Sequence, residues 1–134
     1  MKRINALTAL MLAYGAASLL HFIHNAQFAQ DYPNFPDTIS ALQVYGAWLV
    51  VGATGLAGYL LMRFDQRMSG LAVTAVYAGL GFDGLLHYTL APMGAHSFAM
   101  NFTILTEVAL AALLECAVLF NLVRAVGPAR MRRP

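Results

Sequence analysis

Charge is scarce in this chain. Asp, Glu, Lys and Arg together supply 10% of its 134 residues while 60% are hydrophobic, whereas a soluble surface needs roughly 25% charged residues. An ordinary soluble domain is therefore excluded. Cysteine is nearly absent: Cys116 stands alone, so no intramolecular disulfide and no cysteine-based metal site can form. It reads as a small packing residue. Strict apolar/polar alternation is also missing, which argues against a membrane β-barrel. The net charge of +2 gives no reason to expect a nucleic-acid partner.

What is present is long apolar sequence. Four stretches, about residues 4–28, 39–62, 68–90 and 97–123, approach or exceed the roughly 20 residues that a helix needs to cross a hydrocarbon core. Short connections make sequential helices antiparallel neighbours. The expected fold is an all-α integral membrane protein, one domain over residues 1–134, built as a four-helix up-down-up-down transmembrane bundle in contact with the lipid bilayer.

Orientation is legible in the bases. Lys2 and Arg3 precede the first stretch, Arg63 and Arg67 separate the second from the third, and Arg124, Arg130, Arg132 and Arg133 follow the fourth. The segments around Asp31–Asp37 and Ala91–His96 contain no Lys or Arg. By the positive-inside rule both termini are cytoplasmic and these two segments face outward, the setting expected being a bacterial inner membrane. A rival reading takes Lys2-Arg3 and the small residues Gly15-Ala16-Ala17-Ser18 as a cleaved secretory signal. The apolar run continues past them through Phe22-Ile23, a length suited to spanning.

Polar residues inside apolar stretches carry the functional information, because each costs several kcal/mol unless paired or facing a cavity. They fall on helical faces. Tyr14, Ser18, His21 and Asn25 follow steps of four, three and four, with His24 beside them. Asp83 and His87 are four apart, and His96, Met100, Thr103 and Glu107 repeat the first stepping. At a rise of 1.5 Å per residue, His21 and His87 lie roughly 7–10 Å inside the outer rim and Asp83 and Glu107 roughly 12–16 Å. His24 and His96 sit at the mouth. Glu115 lies deeper, displaced by roughly 80° from the Glu107 face.

Imidazole and carboxylate together suit zinc, iron or copper, and a nearby thioether tilts the choice to copper. The expected metal set is His21, His24, Asp83, His87, His96, Met100 and Glu107. Three alternatives compete. His21 and His87, at equal depth, suit axial ligation of haem b. Asp83 and Glu107 suit acid/base catalysis, beside His87, on a lipid or isoprenoid-like molecule. A non-catalytic chain would turn the same stripes toward a membrane partner subunit or further copies of itself. The segment from Asp31 to Asp37, with Pro33, Pro36 and aromatic Tyr32 and Phe35, forms a stiff loop able to cover the pocket.

Overall fold

The computed structural model describes residues 5–130, with side chains as far as residue 126. Lys2, Arg3, Arg132 and Arg133 of the basic flanks, and the Arg130 side chain, lie outside the described residues. The fold is all-helical, and four helices are long and apolar enough to span a membrane: Ala6–Gln27, Ala41–Arg63, Arg67–Leu90 and Phe98–Val126.

The first two helices start where the sequence offers a side-chain cap. Helix α1 (Ala6–Gln27) follows Asn5, whose Oδ1 accepts the Thr8 N–H at 2.8 Å. Helix α2 (Ala41–Arg63) begins with a capping box in which the Ser40 hydroxyl takes the Gln43 N–H and the Gln43 side chain takes the Ser40 N–H. Between α2 and α3 (Arg67–Leu80) the chain turns through Asp65 at φ 61°, a left-handed conformation that Asp tolerates better than most residues.

The third span is not one continuous α-helix, contrary to the sequence expectation. The regular helix stops at Leu80, a turn and a 3₁₀ segment (Asp83–Leu86) follow, and one α-turn, α4 (His87–Leu90), completes the crossing. Gly79, Gly81 and Gly84 weaken the α-helix there. Gly81 is also a packing requirement, since a Cβ at that position would meet the Tyr14 ring at 2.5 Å and the Ala111 methyl at 2.7 Å. Helix α4 ends at Ala91, before Pro92, which disfavours helical geometry in the residue preceding it. A 3₁₀ turn (Met93–Ala95) then leads to α5 (Phe98–Arg130).

Burial is inverted relative to a soluble protein. Leu42, Phe64, Phe98 and Val123 are exposed, while Ser18, His21, Asn25, Thr74, His87, His96, Thr103 and Glu107 are buried. Exposed apolar side chains on helices of this length suit a lipid surface; the buried polar ones need protein partners. The apolar core is centred on Tyr14, Leu71, Tyr77, Ala111 and Leu114. Tyr14 and Tyr77 pack at 4.6 Å between ring centroids, and the Tyr77 hydroxyl donates to the Met11 carbonyl at 3.3 Å. Helices α2 and α3 cross at Gly58 and Gly70, where a Cβ on Gly70 would stand 2.7 Å from the Met62 nitrogen.

Candidate functional site

The buried polar residues from α1, α4, α5 and the loops gather at one end of the helices. Thr103 and His21 come first, because their hydrogen bond fixes a tautomer. The Thr103 hydroxyl donates to the Met100 carbonyl at 3.0 Å, so toward the His21 Nδ1, 3.3 Å away, it can only accept. His21 therefore carries its proton on Nδ1 and presents a lone pair on Nε2. That lone pair faces the Asn25 amide nitrogen at 3.0 Å.

The same amide nitrogen stands 3.3 Å from Nε2 of His87. One NH₂ group thus serves two imidazole acceptors from different helices. His96 shows the same polarity by another route: its Nδ1 lies 3.1 Å from the Pro92 carbonyl, which only accepts, leaving Nε2 as a buried lone pair without a partner. Rings of His21 and His87 are 5.4 Å apart and those of His87 and His96 6.2 Å, both near perpendicular. Among the described residues no group of three or more His, Cys, Asp or Glu stands in metal-holding geometry. Imidazoles that share one tetrahedral ion at 2.0–2.1 Å bring their ring centroids to roughly 5 Å.

His24 is directed elsewhere. It is half-exposed, and its Nδ1 shares a hydrogen bond of 2.8 Å with the Tyr32 hydroxyl. Tyr32, from the loop able to cover the pocket, is 3% exposed and lies 4.7 Å from the His87 ring, on which Phe35 also stacks at 5.9 Å. Asn34, at φ 58°, ties this loop down by donating to the Leu90 carbonyl at 2.8 Å. Burial pushes the Tyr32 phenol up to about 12. An unfolded tyrosine ionises near 10, so between about pH 10 and 12 the unfolded chain binds fewer protons and stability falls as pH rises. The Tyr32→Phe variant is expected to lack this alkaline loss, which thermal melts from pH 8 upward would read.

Met100 is buried, and its sulfur accepts the Ser97 N–H at 3.3 Å. Asn101, a flanking residue by sequence, is a hub: it takes the Tyr88 hydroxyl at 2.8 Å and donates to the Met93 and His96 carbonyls. Asp83 and His87 do not share a face: the Asp83 side chain is exposed while His87 is buried. Four residues separate them by about 40° on an α-helix but about 120° at 3₁₀ pitch, and the break in the third span supplies the second geometry.

Glu107 lies beneath His21. It is fully buried, its Oε2 stands 3.7 Å from His21 Nε2, and neither carboxylate oxygen has a hydrogen-bond partner. The Glu115 side chain, deeper on α5, also has a buried oxygen without a partner, and Cys116 is exposed. Sequence reasoning named Asn25 and Tyr32 without their roles: spacing marked Asn25 as a stripe residue without showing that it bridges two histidines, and Tyr32 as part of a covering loop without its place against His87. No protein-family model, curated protein or solved structure matches the chain.

Proposed function

We propose that this chain is an up-down-up-down membrane bundle with both termini cytoplasmic, whose outward pocket binds a transition-metal ion through Nε2 of His21, His87 and His96. Alternating direction is supported by paired contacts: His21 with Thr103, Tyr14 with Gly81, Gly70 with Met62 and Arg67 with Asn121. Arg67 and Arg124 then lie at the end opposite the histidines, the arrangement that the positive-inside rule favours.

The observation that carries the metal reading is the common polarity of the imidazoles. Two have their Nδ1 protons committed to oxygen acceptors, and the amide of Asn25 addresses the Nε2 atoms of two. A backbone carbonyl on Nδ1 is how ligating histidines are held with Nε2 free. His87 stands between the other two rings, 5.4 Å from His21 and 6.2 Å from His96, so three nitrogen donors to one ion require both outer rings to close in on it. Such a set suits copper, zinc or iron; the thioether that favoured copper is engaged by Ser97. Tyr32 and Phe35 fill the flank of His87, which favours an ion over the wide macrocycle of haem.

Metal analysis and an absorption spectrum on protein in mild detergent test this reading. About one ion per chain is expected after reconstitution with copper, zinc or iron, falling to background in His21→Ala/His87→Ala. His24→Ala, which alters only the Tyr32 latch, is expected to keep its metal. An empty wild-type protein after reconstitution with all three metals overturns the assignment.

A further inference from the structure

A second group of unpartnered polar atoms lies one layer deeper and is not explained by the histidines. The Tyr14 hydroxyl, the Ser18 hydroxyl and both Glu107 oxygens are buried without hydrogen-bond partners, and all three residues are fully buried. Their adjacency follows from the helix ladder. One turn before Glu107, Thr103 touches His21; one turn after it, Ala111 meets Tyr14 across Gly81. Ser18, one turn from Tyr14 on α1 and three residues before His21, falls opposite Glu107, and Gly84 of the broken span brings its backbone against the carboxylate, where a Cβ would lie 3.5 Å from Oε2.

From these atoms we infer a second cation site, formed by Tyr14, Ser18 and Glu107 against the 81–86 break, that takes a hard monovalent ion, sodium. A carboxylate in the bilayer interior is strongly disfavoured unless a cation meets it. No described Lys or Arg reaches it: Arg63, Arg67 and Arg124 are exposed on the far side of the apolar core. His21 does not serve as its ion-pair partner, because Nε2 is the acceptor nitrogen and stands 3.7 Å away.

The donor set decides the ion class. Hydroxyl and carboxylate oxygens suit hard cations. Glu107 is the one buried carboxylate among the described residues, Asp83 of the break having an exposed side chain, and so matches one positive charge. Oxygens that hold one hard cation at roughly 2.3–2.6 Å stand about 3.5–4 Å from one another. Discontinuous spans at membrane depth, with irregular backbone beside a buried polar residue, are how membrane transporters build their ion sites.

The site does not rest on the histidine reading, and its test is run with chelator present so that transition metals play no part. The full chain in mild detergent is melted in matched sodium, potassium and choline chloride, and sodium-23 NMR linewidths are recorded. Sodium is expected to raise Tm by several degrees over choline and to broaden the resonance. Ser18→Ala, which leaves the packing nearly intact, should weaken the sodium response about tenfold, and Glu107→Gln should remove it. Identical melting in all three salts without broadening overturns the site and leaves Glu107 carrying a proton or a water. An equal response to potassium overturns the assignment to sodium. A sodium response in protein that binds no copper, zinc or iron would sink the histidine reading while leaving this one standing.

Discussion

Gly70→Ala is expected to lower stability by about 3 kcal/mol, at the upper end of the cost of overpacking. A Cβ at this position would stand 2.4 Å from Met62 Cγ, 2.7 Å from the Met62 nitrogen and 2.9 Å from the Gly58 carbonyl oxygen. The first contact involves a flexible side chain. The other two are backbone, so α2 and α3 have to separate where Gly58 and Gly70 allow them to touch. In lipid there is little hydrophobic drive to restore the contact, because acyl chains are as apolar as the side chains they replace. Gly79→Ala on the same helix is the control: nothing lies within 4 Å of its Cβ position. It should stabilise by about 0.5–1 kcal/mol through helix propensity. Thermal or denaturant melts in one detergent compare the two. Equal stability of Gly70→Ala and the wild type would show that α2 is not docked on α3 through this crossing.

The four spans were legible because their signal is composition over long windows, which local irregularity does not disturb. The meeting of His21, His87 and Glu107 was legible for a related reason: on a regular helix, steps of three and four keep side chains on one face, and α1 and α5 are regular. The shared face of Asp83 and His87 was not kept, because that arithmetic presumes 3.6 residues per turn and the segment from Gly81 to Leu86 does not follow it. The glycines at 79, 81 and 84 were the available sign of the break. Tyr32 was legible only as part of a loop able to cover the pocket, not as a residue buried against His87. Its burial depends on where a loop folds back, and that is set by a contact to His24 and a tether from Asn34 to Leu90, neither of which has a sequence periodicity.

Glu107→Met should make the protein more stable in sodium-free buffer, by about 1–3 kcal/mol, the usual cost of a buried polar group without a partner. Methionine has a similar length and adapts to irregular space, so the α1–α5 contact should survive. In sodium the difference should shrink, since an ion bound by the wild type and not by the variant stabilises only the former. Loss of more than about 1 kcal/mol in sodium-free buffer would mean that the carboxyl is already satisfied, with an interior water as its partner. The expected sign carries the functional point. A residue whose removal strengthens the fold is not explained by packing, and stability gained by deleting a buried polar group is commonly offset by lost function. Glu107 Oε2 also stands 3.7 Å from His21 Nε2, so one negative charge faces both proposed ions. Sodium and a transition metal would then weaken each other's binding by the same factor, as linkage requires, and Glu107→Met would abolish that antagonism along with the sodium site.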